Sequence, residues 1–132
     1  VKDLLRILMV EDEPDIQAVA RMALVAIGGF EVEICSSGRE ALDRLAACVP
    51  DLVLMDVMMP VMDGPSALQE MRSNPAMADI PVIFMTAKVQ SHEITRYMDL
   101  GALGVIAKPF DPMTLASTVR SIWEQNHVRN GK

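Results

Sequence analysis

Four short stretches of the chain are almost continuously apolar: RILMV (6–10), LVLM (52–55), PVIFM (81–85) and GVIA (104–107). Runs of this length predict strands covered on both faces, as in a parallel sheet. FEVEIC (30–35) differs, because Phe30, Val32 and Ile34 alternate with Glu31 and Glu33. Alternation predicts a strand with one partly solvated face, near a sheet edge. Between these strands the apolar period lengthens. Ile16, Val19, Ala20, Ala23, Leu24 and Ile27 follow the spacing of one buried helix face, ending at Gly28-Gly29. Ser37-Gly38-Arg39-Glu40 reads as a capping box opening a second helix with Leu42 and Leu45. Gly64-Pro65 opens a third, with Leu68 and Met71 inward and Pro75 beyond its end. A fourth covers about 90–100 and ends at Gly101, and Asp111-Pro112 starts a fifth with Leu115, Val119 and Ile122 on one stripe.

The order is βα repeated five times. Right-handed crossovers then give an α/β fold, a doubly wound five-stranded parallel sheet with helices on both faces. Five strands favour the order 2-1-3-4-5, the flavodoxin-like arrangement, which puts the alternating strand at an edge. At 132 residues the chain suits one compact domain, with a core over about 5–126 and a polar tail at 127–132.

Composition narrows the function. A net charge of −6 argues against direct nucleic-acid contact, which needs a basic stripe, and fits basic partners or metal cations. No apolar run reaches the length of a membrane span, so a cytoplasmic protein with no membrane contact is expected. Cys35 and Cys48 have neither metal-ligand nor CxxC spacing and read as reduced thiols. The eleven methionines read first as core filler.

Chemistry gathers where the strands end. The first run is followed by Glu11-Asp12, the third by Asp56, the fourth by Thr86 and the fifth by Lys108. In a parallel sheet these share the carboxyl edge, and strands 1 and 3 flank the crevice where strand order reverses. Three converging carboxylates repel one another unless a cation neutralises them, and hard oxygen ligands suit Mg²⁺. Thr86 offers a hydroxyl donor, and Lys108 a point charge for a carboxylate or phosphoryl oxygen. Around one free carboxylate, that set suits a transferring phosphoryl group.

These residues resemble the receiver domain of two-component response regulators (CheY-like). The likeness covers about residues 5–126 and rests on VEDE, LMDVMMPVMDG, MTA and KPF, each following its strand. It implies that Asp56 accepts a phosphoryl group from a histidine kinase or phosphotransfer protein, and that Mg²⁺ (or Mn²⁺) is the cofactor. By the same resemblance Asp12 and Asp56 ligate the metal directly, Glu11 acts through water, and Met58 contributes its backbone carbonyl. Thr86 and Lys108 would hold phosphoryl oxygens, and the Lys108-Pro109 bond would be cis, against a general frequency of about 5%. Output would pass through helix 4, strand 5 and helix 5 to a downstream protein or a covalently linked output domain. His92, Tyr97, Met98 and Trp123 are candidate surface residues on that face, with packing on the sheet an equal reading for Tyr97 and Met98 and solvation the plainer one for His92. His127 reads as a solvated histidine outside any phosphodonor motif.

The chain departs from the receiver pattern in one place: Val105 stands where many receivers carry an aromatic that swings on phosphorylation. Met58 and Lys88 occupy the flanking positions that the resemblance links to phosphoryl lifetime, and an apolar Met58 cannot hydrogen-bond a hydrolytic water. The alternative is a pseudo-receiver that takes no phosphate and acts as an interaction module. An aspartyl-nucleophile phosphatase fits less well, because Met58 stands where its second acid would be and there is no cap insertion. A flavin-binding protein would want a phosphate-cradling loop where EDEPD is acidic. The domain is expected to be a signalling module and not an enzyme, its only chemistry being self-directed phosphotransfer and autodephosphorylation.

Overall fold

The computed structural model describes residues 3, 4 and 6–131, with side chains described up to residue 126. Strands β1 (Arg6–Val10), β2 (Glu31–Cys35), β3 (Leu52–Asp56), β4 (Val82–Thr86) and β5 (Gly104–Ala107) alternate with helices α1 (Pro14–Arg21), α2 (Gly38–Ala47), α3 (Gly64–Ser73), α4 (Ser91–Asp99) and α5 (Leu115–Gly131). All strand pairs are parallel and the sheet order is β2-β1-β3-β4-β5, as the apolar runs predict. The alternating strand lies at the edge, with Glu31 and Glu33 exposed.

Side-chain alternation along the strands feeds two cores. Leu8, Val10, Val53, Met55, Val82 and Phe84 pack against α2, α3 and Tyr97 of α4. Ile7, Met9, Leu54, Ile83, Met85 and Ile106 pack against α1 and α5, including Trp123. Trp123 and Tyr97 are therefore core residues, at 3% and 2% exposure, and not part of the surface. His92 and Met98 are exposed, while the polar tail and the His127 side chain lie outside the described residues. The described residues include no helix long and apolar enough to cross a membrane.

Three helices differ from their sequence patterns. α1 passes into a π-helical segment, Met22–Ile27, in which the Gly28 N–H reaches the Ala23 carbonyl at 3.1 Å. The wider turn shifts the phase of the apolar stripe. Ala20, Ala23 and Leu24 stay buried, whereas Ile27, at the end of the segment, emerges at 46% exposure; Val19, on α1 before it, is 38% exposed. Gly28 then lies so close to α5 that a Cβ there would come 2.7 Å from the Ala116 Cβ. α5 begins at Leu115, because Asp111 first makes its own turn: its Oδ1 accepts from Met113 N at 2.9 Å and its carbonyl from Thr114 and Leu115. At α2, Ser37 accepts from Glu40 N as expected, but Glu40 reaches back to Ser36 N and not to the cap residue itself.

The cysteines are both free, Cys35 buried and Cys48 exposed. Burial, aided by Glu40, pushes the Cys35 thiol up to about 11, so it is inert as a nucleophile at neutral pH.

Between β3 and α3 the chain makes a γ-turn. Met62 N donates to the Pro60 carbonyl at 2.7 Å, and the central residue, Val61, has φ 69°. Positive φ is strained for a β-branched residue. Val61→Gly relieves that strain at some cost in unfolded-state entropy, and is expected to raise the melting temperature by about 2–4 °C. A lower melting temperature in the glycine variant would show that the turn is not strained.

Candidate functional site

Each candidate side chain is fixed by the end of a strand. Sheet pairing continues one residue past β1, where Glu11 N donates to the Cys35 carbonyl at 3.0 Å, and Glu11 is fully buried. Asp12 follows, half-buried, as the chain turns into α1. Asp56 is the last residue of β3 and 3% exposed; Val57 N then donates to the Met85 carbonyl, holding the strand end against β4. Gly64 closes over this point. A Cβ there would lie 2.7 Å from the Asp56 carbonyl oxygen and 3.0 Å from the Phe84 ring, so a larger residue would displace the backbone that carries Asp56. Thr86 ends β4, is buried, and its Oγ1 accepts from Lys88 N at 3.0 Å. Lys108 N donates to the Thr86 carbonyl at 2.9 Å, and the Lys108-Pro109 bond is cis.

These placements bring Glu11, Asp12 and Asp56 together, with one carboxylate oxygen from each within 4.8 Å of the others. Lys108 spans two of them: its Nζ lies 3.0 Å from Glu11 Oε1 and 3.3 Å from Asp56 Oδ1. Glu11 Oε2 also accepts from Glu13 N at 3.1 Å. Burial pushes the Glu11 and Asp56 carboxyls above the usual carboxylate range, even though Lys108 pulls both down. For Lys108 itself burial acts to lower the pKa, but the Glu11 hydrogen bond and the Asp56 charge together hold it above its ordinary value. The ammonium is charged, and the two buried carboxylates share it.

The Met58 side chain is 61% exposed, while its N–H points back to Asp56 Oδ1 at 3.4 Å. Gln17 was not singled out by sequence, yet its amide donates to the Glu11 carbonyl and to Ser36 Oγ. A polar residue on the first helix carries no signal of that role. Val105 pairs in register with Phe84 and packs, partly buried, on the core under α4. The aromatic that meets Phe84 comes from α4 instead: Tyr97, T-shaped at 5.5 Å between ring centroids.

The donor set fits a divalent cation. Three carboxylates converge, two of them buried with raised pKa values, and among the described residues one ammonium is shared between those two. Oxygen-only ligands at a partly open edge suit a hard cation that keeps some of its water.

Known proteins resemble this chain in sequence and fold. The profile of the response regulator receiver domain family matches residues 7–120. The transcriptional regulatory protein DltR of Streptococcus agalactiae is 39% identical over 133 residues, covering 96% of this chain and 58% of that protein. The regulatory protein AtoC of Escherichia coli is 42% identical over 106 residues, covering 80% of this chain and 22% of that protein. The chain thus spans about half or less of the length of such relatives. Among solved structures, the chemotaxis response regulator CheY4 of Vibrio cholerae superposes with a TM-score of 0.83 at 29% identity, covering 90% of this chain and 98% of that one. The signal receiver domain of a histidine kinase from Syntrophus aciditrophicus gives 0.78 at 33% identity, covering 91% and 90%. With its strand order, its acidic crevice and these matches, the chain belongs to the response regulator receiver domain family of two-component signalling.

Proposed function

We propose that the chain is one receiver domain that accepts a phosphoryl group on Asp56 in a Mg²⁺-dependent reaction. The donor is a histidine kinase or a phosphotransfer protein. The observation that carries this reading is the shared ammonium: Lys108 bridges Glu11 and Asp56 at the sheet edge, beside a third carboxylate. In the reaction an Asp56 carboxylate oxygen attacks phosphorus, the new O–P bond forms, and the N–P bond to the donor imidazole breaks. Lys108 turns from the Asp56 carboxylate to a phosphoryl oxygen while keeping Glu11. Thr86, whose Oγ1 accepts from Lys88 N, donates its hydroxyl hydrogen to a second phosphoryl oxygen. Asp12, Asp56 and the Met58 carbonyl would hold the metal, with Glu11 acting through water. Bound by those residues, Mg²⁺ would supply positive charge to offset that on the transferring phosphoryl oxygens.

Phosphorylation adds about two negative charges and three acceptors beside Lys108. Thr86 and Lys108 lead into α4, β5 and α5, so a shift in their contacts biases that face between two packings. With Val105 on β5, the aromatic available to follow Thr86 is Tyr97 on Phe84. The domain works in the cytoplasm, signalling to a downstream protein or to an output domain in a longer chain. Reduction of the phosphorylated protein with tritiated borohydride should place the label at residue 56 as homoserine, and only when Mg²⁺ was present during phosphorylation. Label at another residue, or labelling that does not need the metal, would reject the assignment.

A further inference from the structure

Gln17, half-buried on α1, ties the end of β1 to the loop between β2 and α2. Its Nε2 donates to the Glu11 carbonyl at 2.5 Å and to Ser36 Oγ at 3.1 Å. A carbonyl oxygen only accepts, so the atom facing Glu11 is the amide nitrogen and not the amide oxygen. Ser36 is held in turn, its N–H donating to Glu40 Oε1 at 2.8 Å in the first turn of α2.

The Glu11 carbonyl is the handle on Asp12. A trans peptide is planar, so the direction of that carbonyl sets the plane that leads to the Asp12 Cα. On its other side Glu11 N is paired with the Cys35 carbonyl at 3.0 Å. Beyond Asp12, Glu13 N donates to Glu11 Oε2 at 3.1 Å. Asp12 therefore stands between two held peptide planes, the first held by Gln17 and the second by the Glu11 carboxylate. Its carboxylate has an oxygen within 4.8 Å of one from Glu11 and one from Asp56. Mutual repulsion drives such a set apart, and the backbone beneath Asp12 opposes it.

We propose that Gln17 is a positioning residue of the metal site: by holding the Glu11 carbonyl it places the Asp12 carboxylate for a divalent cation. The inference rests on the reading of Asp12 and Asp56 as ligands of the metal that phosphorylation needs. A neutral amide suits this task, because it restrains the loop without weakening the negative potential that attracts the cation. Ser36, as its second anchor, keeps the amide turned toward Glu11.

The test compares wild type with Gln17→Met, which keeps the side-chain length and loses the donor, and with Ser36→Ala, which removes only the second anchor. Electron paramagnetic resonance of free Mn²⁺ gives the dissociation constant of each unphosphorylated protein. Gln17→Met should weaken Mn²⁺ binding about tenfold, a loss typical of removing a group that orients a metal ligand. Ser36→Ala should weaken it in the same direction and by less. With acetyl phosphate, the Mg²⁺ concentration that gives half the maximal labelling rate should rise by the same factor as the Mn²⁺ constant. The rate at saturating Mg²⁺ should stay within about twofold of wild type. An unchanged Mn²⁺ affinity in Gln17→Met would overturn the proposal, as would a lost saturating rate with no change in affinity. Should Gln17→Met lose the near-ultraviolet dichroism of the folded domain, an unchanged affinity in Ser36→Ala would overturn it instead. Wild type that binds Mn²⁺ but takes no phosphoryl group from acetyl phosphate or any kinase would reject the reading of Asp56, and the Mn²⁺ comparison would still decide the role of Gln17. Wild type that binds no Mn²⁺ would overturn both.

Discussion

Lys108→Ala is expected to destabilise the domain by roughly 2–4 kcal/mol at pH 7. The ammonium is the shared countercharge of Glu11, fully buried, and Asp56, almost so. Alanine leaves both carboxylates in a low-dielectric edge with only backbone donors from Glu13 and Met58. The loss should depend on pH. Burial raises the Glu11 and Asp56 pKa values in the fold, so the favourable protonated forms are present below the unfolded carboxylate pKa. That contribution disappears as pH rises through the raised folded values. Lys108, also raised, contributes stability up to its unfolded pKa that is lost only in the alkaline range. The variant's deficit is therefore largest at neutral pH and shrinks on acidification, as the two carboxyls take up protons. Urea unfolding at pH 7 and pH 4 measures it; a deficit of equal size at both would contradict the electrostatic account.

Asp56→Asn is expected to act in the opposite direction on the metal-free protein, stabilising it by about 1 kcal/mol at pH 7. The raised Asp56 pKa means that the fold disfavours the charge there, with burial as the largest cause. The amide keeps the shape of the side chain and an oxygen for Met58 N, while Lys108 retains Glu11. Mg²⁺ should then stabilise wild type more than the variant, because one of three converging carboxylates has gone. Thermal unfolding in EDTA and in Mg²⁺ checks both statements. An asparagine variant less stable than wild type in EDTA would show that the charge at 56 is favourable on its own.

The fold was largely legible because strand length, apolar continuity and the alternation of β2 depend only on local sequence. The candidate site was legible for a related reason: Glu11, Asp12, Asp56, Thr86 and Lys108 each end a recognisable run, and a parallel sheet puts all such ends on one edge. What stayed hidden depends on details finer than periodicity. The π-helical segment shares its apolar spacing with an α-helix, so Ile27 looks inward in sequence but emerges in the structure. Trp123 and Tyr97 sit where helix rotation decides exposure, and the two cores claim them. The bond from Lys108 to Glu11 joins residues 97 positions apart, and its length and burial come only with the packed edge. The γ-turn at Val61 runs against the local preference of valine, which is why nothing in MMPVMDG announces it.

The central claim is that Asp56 takes a phosphoryl group, and intact-mass analysis after incubation with acetyl phosphate and Mg²⁺ tests it most directly. The account predicts a single phosphoryl adduct on wild type, absent when EDTA replaces the metal and absent from Asp56→Asn. An adduct that persists in the asparagine variant, or wild type left unmodified by acetyl phosphate and by every kinase tried, would contradict it.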